Sequence, residues 1–195
     1  RDLWPESYAE VSGKTQGPEI TVMQWIADLL YRQAEAIIVL AAPNTERIIE
    51  RGADPTRIVV VPNGVDLEGF TADGHGRDLS APGAFTFVYA GAHGPANGLD
   101  TVVRAAHVLQ QQGRHDIRVV LLGDGATKKE LQHLSKELGL SNVAFVDPVS
   151  KEEIAATLRT ADAGRMILAT VERFTYGLSP NKLFDYMGAG LPVLT

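Results

Sequence analysis

The stretch that decides the fold runs from Phe85 to Gly125 and reads FTFVYAGAHGPANGLDTVVRAAHVLQQQGRHDIRVVLLGDG. It contains an apolar run, a glycine-rich turn, a segment with helical periodicity, a second apolar run and another glycine turn. Because a parallel strand can be reached only by a long crossover, this order is typical of a βαβ unit. The stretch therefore predicts parallel strands over 85–90 and 117–122, joined by a helix over 98–113.

The same alternation continues to residue 195. It predicts further strands over 143–146, 165–169 and 192–195, and further helices over 126–138, 151–161 and 180–188. Thr127 with Glu130, and Ser150 with Glu153, fit the capping box that marks the start of a helix. A strand followed by a helix, repeated along the chain, predicts an α/β fold with a parallel sheet and helices on both faces.

The first sixty residues form a shorter pattern of the same kind. They predict a helix over 20–35, a strand over 36–40, a helix over 44–51 and a strand over 57–61. Two strands and two helices are too few for an independent core. We therefore interpret residues 1–65 as the C-terminal remnant of another α/β domain, 66–84 as a linker and 85–195 as a second domain. The chain is expected to be a fragment of a longer protein, truncated at both ends.

Composition excludes several classes of protein. The 195 residues include no cysteine, so a disulfide scaffold, a cysteine nucleophile, a thiolate zinc site and an iron–sulfur cluster are excluded. With 18 basic and 24 acidic side chains the formal net charge is −6, which argues against a nucleic-acid partner. The longest apolar runs are about eight residues, whereas about 20 are needed to span a bilayer. We expect a cytoplasmic protein that is at most peripheral to the inner face of the membrane.

A candidate anion site lies at the start of the last predicted helix. Ser179 suits the N-cap and Pro180 the first helical position, which places Lys182 in the first turn and Asp185 one turn further on the same face. A lysine there opposes the helix dipole, unless an anion binds at the free backbone N–H groups. Both a phosphate site and an ordinary exposed lysine paired with Asp185 stay open at this point.

A second candidate is the turn after the first strand of the second domain. Glycines at 91, 94 and 98 let a ligand approach the backbone at the carboxyl end of that strand, where open α/β sheets bind ligands. His93 is the one histidine of five that lies in such a turn. The alternative, which also stays open, is a glycine-rich connection that binds nothing.

The turn Gly123-Asp124-Gly125 resembles the start of a dinucleotide fingerprint, but Lys128 stands where the third glycine is required. A tight strand-to-helix turn is the favoured interpretation. The five histidines show no metal-ligand spacing, and no Asp-x-Asp triplet occurs, so the sequence predicts no metal site.

Taken together, seven segments in order resemble a known family: 1–7, 60–66, 89–91, 98–100, 122–125, 179–187 and 190–193. The chain resembles the retaining glycosyltransferases of family 4, which have the GT-B fold of two Rossmann-like domains. Within that family it is most similar to bacterial surface-polysaccharide enzymes such as the UDP-N-acetylfucosamine-type transferases.

The resemblance implies a function for the second domain. A nucleotide sugar, with UDP as the expected nucleotide, would lie in the interdomain cleft against this domain. An amino or deoxy hexose would be transferred, with retention of configuration, to a lipid- or saccharide-linked acceptor. The residue matching Lys182 would contact the diphosphate, and the one matching Asp185 the ribose hydroxyls. The expected binding set is Gly91, His93, Gly94, Asn97, Gly123, Arg173, Ser179, Lys182 and Asp185.

No catalytic residue is assigned, and no cofactor is expected because the nucleotide sugar is a substrate. Lys182, the helix N-terminus and backbone N–H groups of residues 91–94 are suited to stabilise the departing diphosphate without a metal.

The sequence also departs from the family pattern. Of two glutamates that the family usually carries eight positions apart, the second is Asp185 and the first is Gly177. Ala92 and Asn97 stand where many members have arginine and lysine. Our hypothesis is that Glu172 and Arg173, in the loop over 170–179 before the last helix, substitute for the missing charges.

Two other functions stay open. One is a non-catalytic, degenerate transferase domain, in which the lost charges mark lost activity. The other is an NAD(P)-dependent oxidoreductase, which only the turn at 123–125 favours.

Overall fold

The computed structural model describes residues 4–6, 8, 13, 16–71, 74–166 and 179–195. These residues belong to two compact units. The smaller unit comprises described residues up to Asn63 together with Ser179, and the larger comprises those from Gly64 to Met166 and from Pro180 to Thr195.

In the stretch from residue 16 to residue 63, the smaller unit forms two helices and a two-stranded parallel sheet. Its elements are α1 (Pro18–Gln33), β1 (Ile37–Val39), α2 (Asn44–Glu50), a 3₁₀ turn (Pro55–Arg57) and β2 (Ile58–Val60). The sheet pairs Ile37 with Ile58 and Val39 with Val60. Every element predicted in this part of the chain is present, with ends that differ by a few residues, because alternating apolar runs and helical periods are separated by clear turn residues.

The larger unit is built around a five-stranded sheet. Its elements are α3 (Leu67–Thr71), β3 (Phe85–Ala90), a 3₁₀ turn (Pro95–Asn97), α4 (Leu99–Gln111), β4 (Ile117–Leu122), α5 (Lys128–Glu137), β5 (Val143–Val146), α6 (Ile154–Leu158), β6 (Ala163–Arg165), α7 (Asn181–Gly188) and β7 (Val193–Leu194). The strand order is β5-β4-β3-β6-β7, and all four pairings are parallel. The predicted α/β fold with a parallel sheet is therefore confirmed.

One strand is displaced from its predicted position. A strand was expected over 165–169, but β6 spans Ala163–Arg165, and residues 167–169 lie outside the described part of the chain. Apolar periodicity misses this strand because its middle residue is Gly164, which has no side chain to reveal a buried position. The glycine is required there, since a Cβ on it would lie 2.5 Å from Cγ of the Tyr186 ring.

The two predicted capping boxes have different outcomes. Ser150 and Glu153 form theirs: the Ser150 N–H donates to the Glu153 carboxylate (2.9 Å) and the Glu153 N–H to the Ser150 hydroxyl (3.3 Å), although α6 begins only at Ile154. The box at Thr127 was predicted wrongly. Its hydroxyl donates instead to the carbonyl oxygen of His93 (2.7 Å), because a neighbouring loop lies within reach.

Helices cover both faces of the sheet. Alternate residues of β3 point to opposite sides: Val88 packs with α6 and α7 residues on one face, and Tyr89 with α4 and α5 residues on the other. The strand order reverses between β3 and β6, and the carboxyl ends of β3, β4 and β5 open at one edge of the sheet. Open α/β sheets bind ligands at that edge, near such a reversal.

Candidate functional site

A cavity of about 390 Å³ lies at the carboxyl edge of the large sheet. Residues that follow three neighbouring strands line it, together with one residue each from α6 and α7: Ala90, Gly91, Ala92, Leu122, Gly123, Asp124, Pro148, Val149, Ile154 and Asp185. This volume lies within the range of small-molecule sites, which is about 300–1,000 Å³.

The turns after β3 and β4 pack backbone against backbone at this cavity. The Gly91 N–H donates to the carbonyl of Leu122 (3.0 Å), and the His93 N–H to that of Asp124 (2.8 Å). Gly123 has a φ of +143°, and a Cβ on it would overlap the Gly91 carbonyl oxygen. Glycine at 123 is therefore a condition for this approach of the two turns.

Lys182 lies in the first turn of α7, as predicted, and its side chain contacts groups of the β3 strand and the turn after it. Its Nζ lies 2.9 Å from the Tyr89 hydroxyl, 3.4 Å from Oδ1 of Asn97 and 4.3 Å from the centre of the Tyr89 ring. Within the described residues no carboxylate lies within 4.0 Å of this ammonium, so the pair with Asp185, one of the two alternatives left open by the sequence, is not formed. Burial lowers the pKa of Lys182 to about 8.

Asp185 lies one turn further along α7 and lines the cavity. Burial raises the pKa of its carboxyl group. A carboxylate at this position can accept hydrogen bonds from hydroxyl groups of a ligand in the cavity.

His93 is fully buried in the turn after β3. Its ring centre lies 6.1 Å from that of Tyr89, and neither ring nitrogen has a hydrogen-bond partner among the described residues. Burial lowers the pKa of the imidazole, and the nearby charge of Lys128 lowers it further, so the ring is neutral at pH 7. Both backbone groups of His93 are hydrogen-bonded. Its N–H donates to the Asp124 carbonyl, and its own carbonyl accepts from the N–H (3.0 Å) and the hydroxyl (2.7 Å) of Thr127.

Asn97 and Gly94 shape the same turn. The side-chain amide of Asn97 donates to the Ala92 carbonyl (2.9 Å), which directs its oxygen toward Lys182. Gly94 precedes the 3₁₀ turn and accepts from the Asn97 N–H (3.0 Å). Gly91, His93, Gly94, Asn97, Gly123, Lys182 and Asp185 thus come together around the carboxyl ends of β3 and β4.

Two further residues of the predicted binding set, Ser179 and Arg173, are not among these. Ser179 belongs to the smaller unit, where its hydroxyl accepts from the Asn63 N–H (2.9 Å). Its predicted role as N-cap of the last helix is wrong: Pro180 occupies that position and no side chain caps the helix. Arg173 lies outside the described residues, as does Gly177.

Sequence reasoning missed two residues of this region. Tyr89 lies inside a strand and looked like ordinary core. Lys128 was noted only as a defect in a glycine fingerprint, yet its buried ammonium donates to the Gly123 carbonyl (2.9 Å) and to the Asp147 carboxylate (2.7 Å). A lysine in place of the third glycine is the sequence signal that this turn differs from a dinucleotide-binding turn and is held by a lysine side chain.

Within the described ranges, no three histidine, aspartate or glutamate side chains are grouped so as to hold a metal ion. In the same part of the chain, no helix has both the length and the apolar character needed to cross a membrane.

Comparison with known proteins identifies the family. The family model of the glycosyl transferases group 1 matches residues 84–195, which is more than half of the chain. The chain belongs to this family. The match covers the whole parallel sheet and the cavity at its edge, so the resemblance stated from the sequence motifs is confirmed.

Curated members of the family are similar over much of this chain. The D-inositol 3-phosphate glycosyltransferase of Mycolicibacterium gilvum is 32% identical over 141 residues, covering 67% of this chain and 31% of the relative. The enzyme of the same name from Streptomyces scabiei is 29% identical and covers 99% of this chain and 42% of the relative. The glycosyltransferase chain described here thus spans less than half the length of these relatives.

Solved structures show the same fold at low identity. WaaG, a glycosyltransferase involved in lipopolysaccharide biosynthesis, superposes with a TM-score of 0.69 at 17% identity, covering 96% of this chain and 53% of WaaG. Anabaena HepE in complex with UDP and glucose gives a TM-score of 0.65 at 18% identity, covering 87% of this chain and 46% of HepE. The group 1 glycosyltransferase chain therefore has the GT-B type of α/β architecture.

Proposed function

We propose that the larger unit binds the nucleotide of a UDP-sugar and is the donor-binding part of a retaining glycosyltransferase. Residues 1–65 would be the remnant of the acceptor-binding domain. The acceptor would be lipid- or saccharide-linked, as in surface-polysaccharide synthesis, and the sugar an amino or deoxy hexose. The observation that carries the proposal is the Lys182 ammonium, which lies beside the Gly91 turn with only uncharged partners among the described residues.

Lys182 is half-buried, and a half-buried cation without a counter-ion is costly, a cost that an anionic ligand offsets. Lys182 is in the first turn of α7, whose free N–H groups also favour an anion. Gly91 brings backbone close to the lysine, since a Cβ on this residue would lie 3.5 Å from Cε of Lys182. A diphosphate bound here would meet a positive charge from the helix and have close access to the backbone of the turn.

Asp185 supports the choice of a nucleotide over a simple phosphate. It lines the cavity one helical turn from Lys182, so a ligand can hold its phosphates at the lysine and its ribose hydroxyls at the carboxylate. Charge developing on the leaving diphosphate would be stabilised by the lysine and the helix N-terminus. The relatives support the nucleotide, since HepE was solved with UDP and with UDP-glucose.

Isothermal titration calorimetry with UDP, UDP-glucose and NADH tests the proposal. We expect UDP and UDP-glucose to bind and NADH not to bind. Lys182→Met should weaken UDP binding at least about tenfold, whereas Lys136→Met, which changes an exposed lysine at the far end of α5, should leave it unchanged. Asp185→Asn should weaken UDP more than inorganic pyrophosphate, which has no ribose.

Absence of binding by any nucleotide would instead support the non-catalytic alternative, and preference for NADH would support an oxidoreductase. We expect the 195-residue chain by itself to transfer no sugar, because the relatives' remaining length would supply most of the acceptor side. Measurable transfer by this chain would contradict that expectation. A cytoplasmic location, peripheral to the membrane at most, is part of the same proposal.

A further inference from the structure

The carbonyl oxygen of Ala92 orients the hydroxyl of Tyr89 so that this hydroxyl can only accept a hydrogen bond from Lys182. Tyr89 is fully buried in β3, and its hydroxyl lies 2.9 Å from the carbonyl oxygen of Ala92. A phenol has one proton, and a carbonyl can only accept, so the Tyr89 hydroxyl donates to Ala92. Its lone pairs are then left to accept from the Lys182 ammonium at 2.9 Å.

The same carbonyl orients a second acceptor. The amide nitrogen of Asn97 donates to Ala92 (2.9 Å), which turns the Asn97 oxygen toward Lys182 (3.4 Å). The Tyr89 ring adds a third contact, because the ammonium lies 4.3 Å from its centre, within the distance of a cation–π interaction. The flexible lysine stem is thus held at its charged end by groups of the β3 turn.

We propose that Tyr89 is a positioning residue that holds the Lys182 ammonium beside Gly91, a residue that lines the cavity, before a nucleotide binds, so that the lysine is already placed for a nucleotide diphosphate. This inference rests on the proposed function for its ligand. A free lysine side chain loses rotamer freedom when it binds an anion, and holding it in advance reduces that cost. Tyr89 lies behind the lysine and acts through it.

Among the described residues around Lys182, the pKa shifts of Tyr89, Tyr186 and His93 leave their charge unchanged between pH 7 and pH 9, the range in which the Lys182 pKa lies. Burial raises the pKa of Tyr89 above its usual value, so this phenol stays protonated. The pKa of His93 is lowered, so the imidazole of the same turn is already neutral. On α7 itself, burial raises the pKa of Tyr186 and also that of Asp185 above their usual values.

The test is Tyr89→Phe, which keeps the ring and removes the accepting oxygen. The Ala92 carbonyl retains its bond from Asn97 in this variant, so the turn keeps a donor. The matched control is Tyr186→Phe, which removes another buried hydroxyl, one that contacts Ala90 N and the Arg165 carbonyl but not Lys182. Asn97→Ala, which removes the weaker acceptor without opening the core, is the second variant.

The first measurement is the Lys182 pKa by ¹³Cε NMR in the chain without nucleotide. We expect a value near 8 in the parent chain, a clearly lower one in Tyr89→Phe, and an unchanged one in Tyr186→Phe. Asn97→Ala should shift the value less than Tyr89→Phe. An unchanged pKa in Tyr89→Phe, or a larger shift in Asn97→Ala, overturns the proposal.

The second measurement is UDP affinity from pH 6.5 to 9.5. Affinity in the parent chain should fall above pH 8 as Lys182 loses its proton, and in Tyr89→Phe this fall should begin at lower pH, with binding about threefold to tenfold weaker at pH 7.5. A loss of the same factor at every pH would indicate a merely structural role and overturn the proposal. Failure of the parent chain to bind UDP would overturn the proposed function, while the NMR titration would still decide the role of Tyr89.

Discussion

The α-carbon of Gly123 packs against the carbonyl group of Gly91 so closely that a methyl group on residue 123 would overlap the carbonyl oxygen. This approach joins the turns after β3 and β4, and both turns line the cavity. The distance between the two strands is set by sheet hydrogen bonding, so the turns cannot separate without distorting strand ends that pair Ala90 with Leu122. The shape of the cavity therefore depends on the absence of a side chain at residue 123.

Replacing Gly123 by alanine should lower the free energy of unfolding by about 2–4 kcal/mol, because a steric overlap is added to the strain of a positive φ. Gly113→Ala is the control: φ at Gly113 is +73° and nothing lies within 4 Å of an added Cβ, so only the strain of about 1 kcal/mol should appear. Urea denaturation measures both. Equal losses in the two variants would show that the contact with Gly91 contributes nothing.

Gly164→Ala should destabilise the packing of α7 against the sheet. The added Cβ would lie 2.5–2.8 Å from three ring carbons of the fully buried Tyr186, so α7 must move away from β6 at a cost of about 1–3 kcal/mol. Gly64→Ala provides a control, since its φ needs no glycine and its surroundings are open. Thermal denaturation should separate the two variants by several degrees, and coincident melting curves would contradict the packing described here.

Lys182→Met should stabilise the empty protein at neutral pH. The folded pKa of about 8 lies below the ordinary 10.5, so between these values the unfolded chain binds more protons and stability rises with pH. Below pH 8 the burial penalty is present in full, and removing the charge should add about 1–2 kcal/mol. The gain should shrink as pH rises toward 10.5. Denaturation at pH 7 and pH 10, with Lys136→Met for comparison, measures whether the variant is more stable than the parent at pH 7 and whether that difference disappears at pH 10.

His93 should make the fold sensitive to mild acid. Its folded pKa is lowered, so below the ordinary value of 6.5 the unfolded chain takes up a proton that the folded chain does not. The free energy of unfolding should fall by up to about 1.4 kcal/mol per pH unit from this group alone. His93→Gln should flatten the stability curve between pH 7 and pH 5. His75→Gln, at an exposed position, should not alter it, and parallel curves for all three proteins would rule out His93 as the cause.

Much of the fold could be predicted because burial leaves a periodic trace in the sequence. The strands over 85–90, 117–122 and 143–146 begin and end where their apolar runs do. The strand at Ala163–Arg165 could not be placed, since its central glycine is buried by the ring of Tyr186 and adds no apolar side chain to the pattern.

The candidate site was predictable only in part, for a related reason. Turn glycines and a lysine at a helix start mark the edge of a sheet where a ligand can approach. Local sequence patterns do not show which residues far apart in sequence will contact each other. Tyr89 and Lys182 are 93 residues apart, and the Thr127 hydroxyl donates to the His93 carbonyl rather than capping its own helix.

By itself the sequence determined the order of strands and helices, the parallel sheet and the group 1 glycosyltransferase resemblance, because these follow from local periodicity, turn chemistry and motif order. It also predicted the edge of the sheet where the candidate site lies. Tertiary structure decided which side chains meet there. In the folded chain Lys182 contacts Tyr89 and Asn97 rather than Asp185, and the Ser179 hydroxyl accepts a hydrogen bond from the Asn63 N–H. Such contacts depend on how segments distant in sequence pack together, and local sequence patterns do not predict that packing.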